Sequence, residues 1–213
     1  MQANEVVITA GALRLEGELV MPPEAKGVVL FAHGSGSSRH SPRNQFVARV
    51  LQEAGVATLL FDLLTEQEEE EEIYTRHLRF NITLLANRLV DATHWITGQE
   101  AARGLSIGYF GSSTGAAAAL VAAAELGRRI SAVVSRGGRP DLAGAALDRV
   151  TAATLLIVGG HDIPVIALNE EAYARLRCEK HLTIVPGATH LFEESGALEQ
   201  VSQLAADWFV NHF

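Results

Sequence analysis

Gly111-Ser112-Ser113-Thr114-Gly115 sets a hydroxyl between small residues, where an apolar run meets an alanine-rich stretch. A serine hydroxyl is a poor nucleophile until it is held exposed beside a base. A sharp strand-to-helix turn holds it so, and only small flanking residues avoid clashes in that turn. The N-terminus of the following helix favours negative charge as it develops. This spacing predicts Ser113 as a nucleophile. The alternative is a small-residue turn that serves packing alone.

Such a serine needs a base and an oxyanion site. Of the eight histidines, His190 in Gly187-Ala188-Thr189-His190 directly follows the last strand-like run. His77, His94 and His212 fall in helical patterns instead, so position selects His190 as the general base. Asp162, in Gly159-Gly160-His161-Asp162 after Leu155-Leu156-Ile157-Val158, can fix the tautomer of that base and stabilise its imidazolium. Asp62 and Asp141 compete for this role, and Asp62 stands early in the chain for it. The first oxyanion donor is the backbone N–H of Thr114. The second comes from His33-Gly34-Ser35-Gly36, with Ser35 as the first choice and Gly34 or Gly36 as alternatives. Each donor of this kind lowers a barrier by about 3–4 kcal/mol. His33 is expected to brace that loop.

The elements that must position these residues follow from periodicity. Val6–Ile8 and Leu13–Val20 read as an antiparallel pair, the second alternating like a half-buried edge strand. Gly27–Ala32 and Val56–Phe61 are continuous apolar runs, as in buried parallel strands. Leu105–Phe110, Ile130–Val134, Thr154–Val158 and His181–Val185 complete the strands. Helices are expected over Pro42–Ala54, Ile73–Thr97, Thr114–Leu126, Ile166–Leu176 and Leu198–His212, with an acidic loop at Glu66–Glu72. The fold class is therefore α/β: a mostly parallel sheet of about eight strands, with helices on both faces. No linker or repeat interrupts residues 1–213, which read as one domain. In such sheets ligands bind outside the carboxyl ends of the strands. Ser113, Asp162 and His190 all fall there.

The order Ser113, Asp162, His190 is that of α/β-hydrolases. With Phe31-Ala32-His33-Gly34-Ser35-Gly36, Gly111-Ser112-Ser113-Thr114-Gly115, Gly160-His161-Asp162 and Gly187-Ala188-Thr189-His190, the chain resembles the dienelactone-hydrolase-like branch of that superfamily over essentially its whole length. Dienelactone hydrolases proper carry a cysteine where this sequence has Ser113. The resemblance implies a single-domain hydrolase acting on a small ester, thioester or related acyl substrate. An acyltransferase with the same residues, or a non-catalytic binding protein on this scaffold, are the alternatives. Ser135–Ala153 is too short for a cap domain, so a shallow pocket is expected.

Composition narrows the partners. Among 213 residues, 48% hydrophobic and 20% charged exclude a disordered chain. A chain of this length buries roughly 70% of its unfolded surface. The net charge of −8, from 25 acids against 17 bases, argues against nucleic acid and anionic membranes. Six of those 25 acids lie in Glu66–Glu72. Neither a phosphate loop nor a third glycine after Gly34-Ser35-Gly36 is present, so no nucleotide cofactor is expected. The histidines lack metal-ligand spacing, so no metal is expected. Cys178 is the single cysteine, excludes an intramolecular disulfide and is given a structural role. Met1–Glu5 has no basic start followed by an apolar run, and Gly104–Glu125 reads as strand, turn and helix rather than a span. A cytoplasmic protein is expected. Arg39 and Arg136 are the candidates for orienting an anionic small-molecule substrate, because a guanidinium fits carboxylate or phosphate bidentately, and the alternative, which is favoured, is that they pair with Asp62, Asp141 or the acidic run. Oligomeric state is not set by these features.

Overall fold

The fold begins with an antiparallel pair, β1 (Asn4–Ala10) and β2 (Leu13–Val20), turned at Gly11 with φ of +59°. The computed structural model describes residues 3–213; Met1 and Gln2, at the start of the stretch read for a targeting signal, lie outside them. Then follow β3 (Gly27–Ala32), α1 (Pro42–Glu53), β4 (Ala57–Phe61), α2 (Glu66–Thr75) and α3 (Ile82–Thr97). The second half runs β5 (Ser106–Ser112), α4 (Thr114–Leu126), β6 (Ala132–Arg136), β7 (Ala153–Gly159), α5 (Ile163–Arg175), β8 (Lys180–Val185) and α6 (Ala197–His212). One eight-stranded sheet results, in the order β1-β2-β4-β3-β5-β6-β7-β8. The β1–β2 and β2–β4 pairs are antiparallel; all others are parallel.

The sheet separates two cores. Val47, Leu51, Val134, Ile157, Val201 and Phe209 join α1 and α6 to one face. Leu85, Leu89, Tyr109, Leu120, Val133 and Leu156 lie in the core with α3, α4 and α5 on the other. Each large apolar side chain fully buried in this way contributes roughly 1.5–3 kcal/mol. Ala116–Ala119 are all fully buried, since α4 packs between the sheet, α3 and the Pro140–Arg149 turns. Alanine there lets the helix approach the strands closely enough to seat its N-terminus at the sheet edge. Those turns are two 3₁₀ segments joined at Gly144, and no cap domain interrupts the sheet among the described residues.

Three expectations need correction. β2 is not an edge strand: it lies between β1 and β4. Its alternation of buried and exposed residues reports one uncovered face rather than a missing neighbour. Arg136 does not follow β6 but ends it, paired in register with Ser112 and Ile157. The third correction is the largest. The acidic run is helical, and the expected helix over Ile73–Thr97 is broken in two. Thr65 and Glu68 form a capping box, and glutamates in the first turn suit the positive end of the helix dipole. The helix stops where Arg76 turns left-handed. The Glu72 carboxylate then accepts from the N–H groups of Leu78 (2.7 Å) and Arg79 (3.2 Å), and Asn81 caps α3 by accepting from Leu84. Periodicity records the apolar face of α3 but not these side-chain stops.

Candidate active site

Ser113 sits between β5 and α4 with φ of +50° and ψ of −121°, a strained conformation for a residue with a side chain. Its neighbours explain how the strain is held. A Cβ on Gly115 would stand 2.1 Å from the Ala32 carbonyl oxygen, and one on Gly111 would stand 2.5 Å from the Ala116 Cα. Both glycines are thus required by close backbone approach. The turn is tied to β6 as well: Ser113 N–H donates to the Arg136 carbonyl (3.4 Å), and Arg139 N–H donates to the Ser113 carbonyl (3.0 Å).

The base and its carboxylate meet. His190 Nδ1 donates to Asp162 Oδ2 at 2.6 Å. Asp162 lies just past β7 and precedes α5, while His190 lies in the loop after β8. The loops interlock at glycines, because a Cβ on Gly159 would come within 2.5 Å of the Ala188 and Thr189 carbonyls. His161 N–H also donates to the Ala188 carbonyl at 2.9 Å. Gly137 brings the third residue near. A Cβ there would stand 3.0 Å from the His190 carbonyl oxygen and 3.6 Å from its ring Cε1, and the same short segment bonds the Ser113 backbone; no hydrogen bond joins Ser113 Oγ to His190 among the described residues. With Nδ1 engaged by Asp162, Nε2 is the ring nitrogen left to exchange a proton. The competing acids are occupied elsewhere. Asp62 pairs with Arg39, and Asp141 with Arg139.

The loop after β3 completes the floor. Gly34 packs against Ser113, with its Cβ direction 3.1 Å from the Ser113 Cβ. Ser35 Oγ and Thr114 Oγ1 are hydrogen-bonded at 3.0 Å. The N–H groups of Gly34, Ser35, Gly36 and Thr114 have no intramolecular acceptor among the described residues. Ser35 and Thr114 are therefore together, with donors to spare, and the two glycines stay open as alternatives. His33 braces the loop from beneath. It is 6% exposed, its Nε2 accepts from Leu63 N–H (3.0 Å) and its Nδ1 then donates to the Gly34 carbonyl (3.0 Å). Burial lowers its pKa against the opposing pull of Gly34 and Asp62, which keeps it neutral as both bonds require. A small cleft of about 10 Å³ lies beside Ser35 and Thr114, walled by Leu63, Leu64, Leu85 and Glu69.

The two arginines part company. Arg39 faces Asp62 with its guanidinium and backbone N–H, and Glu16 at 2.5 Å, so protein carboxylates fill its donors. Arg136 is buried, and its Nε and Nη1 have no partner among the described residues. Sequence reasoning passed over Arg43, four residues after Arg39 and inside α1, whose charge lies near Arg136. It also passed over Glu72, concealed in a run that looked solvated. Glu72 is 1% exposed and binds Arg79 Nε at 2.5 Å. Cys178 is half-buried beyond α5, with its thiol 3.7 Å from Thr154 Oγ1.

The family model described as the dienelactone hydrolase family matches residues 15–210. The chain belongs to the dienelactone hydrolase family. A dienelactone hydrolase from Anabaena variabilis is 60% identical, with a TM-score of 0.98 over 100% of this chain and 98% of that one. The family fold extends to Est1E from Butyrivibrio proteoclasticus, with a TM-score of 0.81 at 17% identity over 98% of both chains. A Mycobacterium tuberculosis protein, provisionally named a phosphoribosyl transferase, is 56% identical over 212 residues. This chain spans about half the length of that curated relative, 47% of it. Within the dienelactone hydrolase fold described here, no helix among the described residues is long and apolar enough to cross a membrane.

Proposed function

We propose that the protein is a serine hydrolase that cleaves a small ester or thioester through an acyl-enzyme. The observation that carries this reading is the 2.6 Å His190–Asp162 bond, with Ser113 in a strained strand-to-helix turn whose backbone is bonded to the segment that packs on His190. His190 Nε2 takes the proton of Ser113 Oγ as that oxygen bonds to the acyl carbon. Asp162 holds the tautomer and stabilises the imidazolium. The N–H groups of Ser35 and Thr114 receive the oxyanion. The intermediate collapses by breaking the bond to the leaving alcohol or thiol, which takes the proton from His190. Water then attacks the acyl carbon, giving its proton to the same nitrogen, and the acid leaves as Ser113 is reprotonated. The absence of a cap domain fits a small acyl group better than a long lipid chain.

Acyl chemistry is what a hydroxyl beside an imidazole–carboxylate pair performs. The phosphoribosyl transferase name belongs to a protein about twice as long and is not carried over. Fluorophosphonate labelling tests the reading. Ser113 is expected to be the labelled residue, and Ser113→Ala to lose both label and p-nitrophenyl ester turnover, by at least about 10⁴-fold in kcat. Folded protein that takes no label and cleaves no activated ester overturns it.

A further inference from the structure

Arg136 is a cation with nothing to answer it. It ends β6, and by strand alternation its side chain shares the α1 and α6 face with Ala132 and Val134. It is 7% exposed, forms no ion pair among the described residues, and has both Nε and Nη1 sealed without a partner. A buried charge is normally paired, because desolvation leaves it strongly unfavourable otherwise. Burial, and the nearby charge of Arg43, bring its pKa down to about 10, so it is still positive at neutral pH. Two more orphans stand at the start of α1: Arg43 Nε, a donor near Arg136, and Asn44 Oδ1. Arg43 reaches across to the loop that carries His190, with its Nη1 3.0 Å from Glu193 Oε1.

This cluster adjoins the reacting centre. Ser113 N–H bonds the carbonyl of Arg136 itself, Ser112 is its neighbour in register, and Gly137 next to it lies against the His190 ring. Orphan guanidinium donors of two neighbouring residues thus lie behind the turn that carries Ser113. Such an arrangement satisfies its donors and its charge together when an oxyanion enters. We propose that Arg136, with Arg43 beside it, forms an anion subsite next to Ser113 that receives a carboxylate or phosphate group carried by the substrate. As a statement about the substrate, this rests on the hydrolase reading above. It makes Arg136 a specificity-determining residue, and Arg43 a partner that would exchange Glu193 for the ligand.

The test compares p-nitrophenyl esters of one acyl length whose chains end in a carboxylate, a phosphonate or a neutral carboxamide. The intact protein is expected to favour a charged ester over the carboxamide in kcat/KM by at least about tenfold, the scale of one charge-assisted hydrogen bond. Which of the two charged esters leads identifies the anion. Arg136→Gln should remove most of that ratio, Arg136→Lys should restore part, and Arg43→Gln should lower it about threefold. A wild-type ratio of one or below overturns the proposal. So does a ratio unchanged in folded Arg136→Gln; if that variant does not fold, an unchanged ratio in Arg43→Gln does so. If no ester turns over and Ser113 resists fluorophosphonate, the hydrolase reading is what fails. Titration calorimetry with glutarate and inorganic phosphate then decides the subsite: saturable binding lost in the Arg43 and Arg136 variants upholds it, and absence of binding overturns it.

Discussion

The floor and the rim of the site are built by different means. On the floor, Ser113, Asp162 and His190 each stand at or just past the carboxyl end of a parallel strand, and backbone geometry fixes them. Gly111, Gly115 and Gly159 permit contacts that a single methyl group would forbid. On the rim, α2 has no such footing. Its length exposes Ile73 at 67% and Tyr74 at 86%, and it is held by charged pairs: Glu72 with Arg79, and Glu68 with Arg88 at 2.7 Å. The floor's backbone is set by steric exclusion, which neither salt nor pH alters. Position on the rim is set by ionised groups, which both alter.

The sharpest way to break this contrast is to disturb floor chemistry without disturbing floor geometry. Asp162→Asn preserves size but leaves His190 free to adopt the wrong tautomer. The expected result is a fall in kcat of about 10⁴-fold with little change in thermal stability. Steady-state kinetics on a neutral p-nitrophenyl ester, with a parallel melting curve, measures both. A loss below tenfold would remove Asp162 from its orienting role.

The rim responds differently. Burial pushes the Glu72 carboxyl up, but hydrogen bonds from Arg79 and Leu78 outweigh burial and hold it below its ordinary range. A carboxylate depressed by folding stabilises the native state fully above its unfolded pKa, near 4.3, and loses that contribution as pH falls through the folded value. The α2 segment should therefore open in acid before the sheet does. Glu69 acts in the opposite sense, raised by burial and then by Asp62. The difference between wild type and Glu72→Gln thus isolates Glu72. At pH 7 that variant should lose roughly 2 kcal/mol of local stability, from charge-assisted bonds made neutral. Hydrogen exchange should show faster α2 and Leu78–Phe80 amides with unchanged β5 and β7. Equal acceleration in the strands would show that rim and floor unfold as one unit.

The same division decides what the amino-acid order discloses. Gly27–Ala32 and Thr114–Leu126 are readable to the residue, since a continuous apolar run and an alanine-rich helix after a glycine turn have few competing structures. That Ser113, Asp162 and His190 stand at or just past strand ends is readable because each follows an apolar strand run in the sequence. The break at Arg76–Asn81 is not, because it depends on one carboxylate, Glu72, turning back to bond two later N–H groups. The end of β6 is missed by two residues for a related reason. Ser135 and Arg136 are polar, and a pattern of apolar residues stops where the ladder does not. That shift has chemical weight, since it moves Arg136 from an open loop into the sheet and buries it.

Arg39 and Arg136 carry the contrast down to its smallest expected effect. They bear the same group and were matched in sequence as candidates for one task. Arg39 is engaged by Asp62 and Glu16 at the mouth, and its side chain is 21% exposed. Water reaches this group through Glu16, which is 69% exposed, and pairs open to water contribute about 0.2–1 kcal/mol. Arg39→Gln should lower the melting temperature by no more than about 3 °C and leave the charged-to-neutral ester ratio as in the wild type. A tenfold loss of that ratio in Arg39→Gln would place the anion at the rim, held by a cation whose two carboxylates must first let go. An unchanged ratio leaves the recognition of charge to the guanidinium that the sheet has buried and that no protein carboxylate has claimed.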